Sequence, residues 1–251
     1  MHIPVTPPSK AARAGLTVVT CLLSLAVASE ASASVRVGSA GSPSQVLQHS
    51  LAAATKAGSA RISVEFFSGS TTGRVLQDSS MQSGQQAVAI GKALATTVLV
   101  GGTAFISGNA QGMTSFFGLP SALGSTLAGQ WISLQSSDSN YQAVAANVTL
   151  ASALTNVTPT GTLIAGKRKK ISGQWVRSIT GKGQGGAGRV TLFVTADARS
   201  LPFEAVQSVR VGSTLKGEIV KFSKWGEPIN VAAPSKAIPI SAIQAASSAS
   251  G

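Results

Sequence analysis

Residues 43–66 read PSQVLQHSLAAATKAGSARISVEF. The period of the apolar positions changes in the middle of this stretch. Val46, Leu47, Leu51 and Ala54 form one stripe at helical spacing, and Ser42-Pro43 supplies an N-cap followed by proline at the first helical position. Gly58 is a natural stop, so the spacing predicts an amphipathic helix over 43–57. From there Ile62, Val64 and Phe66 alternate with Arg61, Ser63 and Glu65, which is the period of a half-buried strand. A helix delivered directly into a strand meander points to an α+β domain.

The meander continues outward from this point. TGRVLQDSS, GQQAVAI, ALATTVLVGG and AFISG read as further strands, with Gly101-Gly102 as a hairpin signal. Residues 112–158 break the pattern. Phe116, Phe117, Leu119, Leu123 and Leu127 are interrupted by Gly118, Pro120 and Gly124, which suits short helices rather than one long one. Tyr141, Val144 and Val148, then Leu150 and Leu154, continue at helical spacing. Strands resume after Pro159 in TGTLIAG, ISGQWVRSIT, GRVTLFVTA, FEAVQSVRV and GEIVKFSKW. About ten strands must have both faces and both edges managed. The fold expected is a strongly curved antiparallel sheet, a half-barrel, of roughly eight to eleven strands, with the helices covering its concave face. Residues 235–251 show no periodic pattern and are expected as a flexible tail.

The N-terminus reads as an export signal. Lys10 and Arg13 precede an apolar run from Leu16 to Ala28, and Ala31-Ser32-Ala33 offers small residues for cleavage after Ala33. The expected organisation is a signal peptide over 1–33, a linker over 34–43, a domain over 44–234 and the tail. Cys21, the only cysteine, sits inside the apolar run, the wrong place for a lipid anchor. The chain is thus expected to be exported to the cell envelope or beyond.

Composition narrows the function. Of 251 residues 43% are hydrophobic, 11% charged and 5% aromatic, with 20 Lys+Arg against 8 Asp+Glu. One Cys and two His leave no cysteine-ligated metal site and no convincing acid–base constellation, so no catalytic residue, metal or cofactor is expected. His49 sits beside the apolar stripe of the first helix and reads as a surface or half-buried residue. Gly181 to Gly186 matches G-x-G-x-x-G by letters, but lies between two strands and reads as a hairpin loop. An exported chain with few aromatics and no recognition motif is not expected to bind nucleic acid. Lys167-Arg168-Lys169-Lys170 is the densest basic run, either a solvated turn or a contact for anionic headgroups or wall polymers.

Several segments together resemble the LppX/LprG family of actinobacterial envelope lipoproteins, in the LolA-like half-barrel superfamily. They are residues 44–66, AGQWISL at 128–134, VTLASAL at 148–154, GQWVRSIT at 173–180, LFVTADARSLPFEAVQ at 192–207 and EIVKFSKWGEPINVAAP at 218–234. The resemblance spans roughly 44–234 and departs from the family in lacking a credible lipobox. It implies a cavity between the concave sheet and the helices, holding the acyl chains of an envelope lipid or lipoglycan. The lining residues expected from size and alternation are Val64, Phe66, Val98, Phe116, Phe117, Leu123, Leu127, Leu150, Leu154, Leu192 and Val194. Function is therefore expected to be non-enzymatic lipid carriage. The alternative is a structural or adhesive module that binds anionic wall polymers through its basic surface and has a simply filled core.

Overall fold

The computed structural model describes residues 41–186 and 188–249. The signal peptide, its cleavage site, Cys21 and residues 34–40 of the linker lie outside the described residues. The first helix, α1 (Pro43–Ala57), begins with a reciprocal cap. Gln45 N–H donates to Ser42 Oγ at 3.2 Å, and Ser42 N–H donates to Gln45 Oε1 at 2.8 Å. It ends on Gly58 at φ 77°, where the left-handed turn needs no Cβ.

Five strands follow, β1 (Ser59–Ser68), β2 (Thr71–Ser80), β3 (Gly84–Ile90), β4 (Ala93–Val100) and β5 (Thr103–Gly108). The Gly101-Gly102 turn has both residues at positive φ, as a two-residue hairpin requires. Short helices and strands come next: α2 (Ala110–Phe117), α3 (Ser121–Thr126), β6 (Ile132–Leu134), α4 (Tyr141–Ala146) and α5 (Leu150–Val157). The second meander comprises β7 (Thr160–Ala165), β8 (Lys169–Ile171), β9 (Gln174–Lys182), β10 (Arg189–Thr195), β11 (Pro202–Val211) and β12 (Thr214–Ser223). A 3₁₀ turn over 184–186 joins β9 to β10, so the glycine-rich segment opens no α-helix.

With β13 (Ile238–Pro239), the thirteen strands of the described residues belong to one open, curved sheet, ordered β13-β6-β5-β4-β3-β2-β1-β12-β11-β10-β9-β7, with β8 also on β9. The two meanders meet at its centre, where β1 pairs with β12. Every pairing is antiparallel except the short β13–β6 contact. The ten segments read as strands in the sequence all form strands, but the sheet exceeds the eight to eleven strands expected, because β6, β8 and β13, of two or three residues each, are too short to show an alternating pattern.

The C-terminal segment differs from the flexible tail expected for 235–251. Ile238–Pro239 forms β13 beside β6, and Ile240–Ala249 forms α6. Ile238, Ile240 and Ile243 pack against a buried cluster containing Leu99, Ile106, Met113 and Ile132. Three isoleucines burying apolar area hold a segment whose own propensity is weak.

Candidate functional site

Strand register defines one apolar row across the sheet. Starting on β9 and stepping from strand to strand, it runs Ile179, Leu192, Ala205, Val220, Val64, Val75, Val88 and Ala95, each residue directly opposite the next. Directly paired residues share a face, so the row lies on one side of the sheet. Its first four members are buried under α1 and α5, in a cluster with Leu47, Ala54, Leu150 and Leu154. Val64, Val75 and Val88 are only half-buried. Below them runs a second inner row, Phe66, Gly73, Ile90 and Ala93. The Phe66 ring lies over Gly73, filling the space a Cβ would take.

Above these rows the inner face turns polar. Gln77 Nε2 donates to Ser79 Oγ at 2.5 Å, and Ser79 Oγ donates to the Val148 carbonyl at 2.7 Å. Gln86 Nε2 donates to Gln77 Oε1 and to the Asn147 carbonyl, both at 3.0 Å. These side chains satisfy carbonyls of the α4–α5 link and fasten it to β2 and β3. Gly84 makes the approach feasible, since a Cβ there would lie 2.5 Å from the Val148 oxygen. On the β3–β6 side, α2, α3 and α4 cover the second cluster, which includes Leu99, Ile106, Leu127 and Val148. The half-buried rows on β1–β3 thus lie between two helical covers, bounded on one side by the polar seam.

The residues expected as cavity lining divide among these regions. Leu150, Leu154, Leu192 and Val194 are in the first buried cluster, with Val64 packed against it. Leu127 is in the second, with Phe117 and Leu123 against it. Phe66 and Phe116 are half-buried and belong to neither cluster. Val98 is a correction. It pairs with Gln85 and Phe105 on the opposite face, while Leu99 points inward. In ALATTVLV both faces carry apolar residues, so alternation does not reveal the inner one.

The basic run occupies a broken edge strand. β7 and β8 pair with the same edge of β9, and Lys167 and Arg168 fill the break between them. All four basic side chains are exposed. Arg168 stacks 4.9 Å from the Trp175 ring centroid, and Lys169 Nζ lies 4.3 Å from that of Phe193. His49 is exposed on α1, and among the described residues no cluster of His, Cys, Asp and Glu could hold a metal ion.

One inner-face feature escapes sequence reading. Glu218 lies opposite Phe66, and its carboxylate accepts from Gln207 Nε2 at 2.7 Å. Burial pushes its carboxyl above the ordinary range. Gln207 Nε2 also donates to the Asn156 carbonyl at 3.0 Å, anchoring the end of α5. The available signal was a polar residue at an inward position of an otherwise alternating strand.

No family model matches the sequence, and no curated protein matches it. Solved structures do match the fold. The Mycobacterium tuberculosis lipoprotein LppX is 19% identical, over 76% of this chain and 100% of its own, with a TM-score of 0.49. LprF from Mycobacterium bovis is 13% identical over 77% and 97%, with a TM-score of 0.47. MucB is 15% identical over 78% and 65%, with a TM-score of 0.39.

Proposed function

We propose that the protein is an exported, non-enzymatic carrier that holds acyl chains of an envelope lipid or lipoglycan against the inner face of its sheet. The observation that carries this reading is the half-buried apolar surface of Val64, Phe66, Val75, Val88 and Ile90, between two helical covers. Contiguous apolar surface of this kind is stabilised by an apolar occupant, at about 25 cal/mol per Å² removed from water. Phe116, Phe117, Leu123 and Leu127 belong to the cover that adjusts to the chain. That cover consists of helices of eight and six residues separated by Gly118 and Pro120. Leu150, Leu154, Leu192 and Val194 form the packed wall beside it. On this reading cleavage after Ala33 removes Cys21 with the signal peptide.

The test is extraction of a fluorescent two-chain lipid from vesicles. Phe66→Asp and Phe117→Asp reduce uptake strongly, because an unpaired charge in an apolar site costs several kcal/mol. Circular dichroism of both variants separates lost binding from lost fold. A wild-type protein that extracts no lipid overturns the reading.

A second reading draws on the stacked Arg168–Trp175 and Lys169–Phe193 pairs of the broken edge strand. Here Lys167, Arg168, Lys169 and Lys170 contact anionic headgroups of a membrane or anionic wall polymers, each worth about 1 kcal/mol near a charged surface. Cosedimentation with an anionic wall polymer that persists in the Phe66→Asp variant and is lost in Lys169→Glu favours it.

A further inference from the structure

A cleft of about 330 Å³ lies between α1 and the loop that follows β10, away from the half-buried rows. Its polar lining comprises Gln45 and His49 from α1, Arg177 from β9, and Thr195, Asp197 and Ser200 at and beyond the end of β10. Gln45 and His49 are one helical turn apart on the same face of α1. The Gln45 side-chain oxygen accepts from Ser42 N–H, which leaves its NH₂ without a hydrogen-bond partner among the described residues. Arg177 sits directly opposite Val194, which lines the same cleft.

Arg177 is exposed and has no ion-pair partner among the described residues. The ion pairs there are Arg61–Asp78, Arg199–Asp197 and Lys224–Glu227. Asp197 also lines the cleft, yet its carboxylate serves its own loop. Oδ1 accepts from Thr195 Oγ1 at 2.6 Å and from the backbone N–H groups of Arg199 and Ser200 at 3.1 and 3.2 Å. Oδ2 accepts from the Arg199 guanidinium at 3.3 Å. These bonds hold Asp197 below the usual carboxylate range, so it stays ionised and committed to the loop. The loop is also fixed by Leu201 N–H donating to Thr195 Oγ1 and by Ala196 N–H donating to the Trp175 carbonyl. Among the described residues Asp197 is thus the one acid lining the cleft, with its hydrogen bonds directed to its own loop and its charge paired with Arg199, while Arg177 forms no ion pair.

A guanidinium, an imidazole and an amide NH₂ on the lining of one cleft supply a donor set for a tetrahedral oxyanion. Val46 and Val194 supply apolar wall on either side, which suits a substituent on that anion. We infer that the cleft between α1 and the β9–β10 end binds a phosphate group, through Arg177, His49 and Gln45. Trp175 lies two residues before Arg177 on the same face of β9, with Arg168 stacked on its ring. A phosphate carried on a lipid headgroup therefore has basic and aromatic surface next to the cleft. The inference stands whether or not the inner face carries acyl chains.

The test uses proton NMR of the His49 imidazole in the purified chain. It is titrated with inorganic phosphate, with glycerol 1-phosphate, and with vesicles of phosphatidylcholine with or without phosphatidylglycerol. The expected result is a saturable shift of the His49 signals with at least one phosphate source. Arg177→Gln weakens it about tenfold, Arg177→Lys keeps part of it, and Arg210→Gln, the same loss of charge on exposed β11, leaves it unchanged. A response to inorganic phosphate identifies free phosphate as sufficient; a response to the phosphatidylglycerol vesicles alone identifies a headgroup. Signals unmoved by all probes, or a shift that Arg177→Gln leaves intact, overturn the inference. Lipid extraction by Arg177→Gln separates this site from the carrier reading, since acyl uptake does not depend on Arg177.

Discussion

One apolar row crosses the sheet and is treated differently in its two halves. From Ile179 to Val220 it lies under α1 and α5, with Leu192 and Ala205 fully buried. From Val64 to Val88 the same kind of residue, on the same face, is only half covered. The covers differ in construction. α1 has fifteen residues and a reciprocal cap, whereas α3 and α4 have six residues each and no side-chain cap. Short helices with uncapped ends gain little from their own hydrogen bonds and depend on tertiary packing. The first half therefore builds stability, and the second leaves apolar surface that a ligand can cover.

This contrast is broken or confirmed most directly by matched truncations. Leu192→Ala removes a side chain with no exposure and costs about 3 kcal/mol, because the cavity relaxes only in part. Val88→Ala, on the half-covered side, costs about 1 kcal/mol or less. Urea denaturation of both variants measures the difference. Equal losses would mean that the row is buried alike along its length, and the distinction between wall and binding surface would fall.

The polar seam ranks next. Ser79 Oγ, fully buried, links Gln77 to the Val148 carbonyl. Ser79→Ala leaves both groups without that partner and costs about 2 kcal/mol. If the seam fastens the helical cover, amide hydrogen exchange in α4 and α5 accelerates beyond that in α1. A uniform acceleration would show that Ser79 supports the whole sheet rather than the link.

The halves were also unequally legible in the sequence. α1 could be read to its ends, because Ser42, Pro43 and Gly58 mark them chemically. The long strands could be read where one face is polar, as in ARISVEFF. β4 could not be oriented, since Leu94, Val98, Leu99 and Val100 place apolar groups on both faces. The seam was hidden for the opposite reason. Gln77, Ser79 and Gln86 look like solvent-facing residues, and their partners Asn147 and Val148 lie some sixty to seventy positions away. α6 was missed because its hold on the domain comes from packing against β6 and its neighbours, not from caps or period. Whether a valine forms wall or binding surface depends on the length and position of a helix elsewhere, which no local pattern records.

The smallest effect distinguishes the two halves at their boundary, where Glu218 faces Phe66. Its carboxyl is raised by burial, so the folded protein holds that proton more tightly than the unfolded chain does. The stabilisation from the protonated form is complete below the unfolded pKa, about 4.3, and is lost as pH rises through the higher folded value. At neutral pH the ionised group therefore works against folding. Glu218→Gln keeps an oxygen to accept from Gln207 Nε2 and removes the charge, so its thermal midpoint exceeds that of the wild type at pH 7. The gain shrinks as pH falls and disappears below about pH 4, where both side chains are neutral. A gain of the same size at pH 4 and pH 7 would assign it to altered packing around Phe66 and not to the buried charge. A ligand that covers Phe66 removes more water from Glu218 and raises its carboxyl further. Lipid binding is then accompanied by net proton uptake at this position in the wild type and none in Glu218→Gln, a difference that calorimetry in buffers of different ionisation enthalpy reads directly.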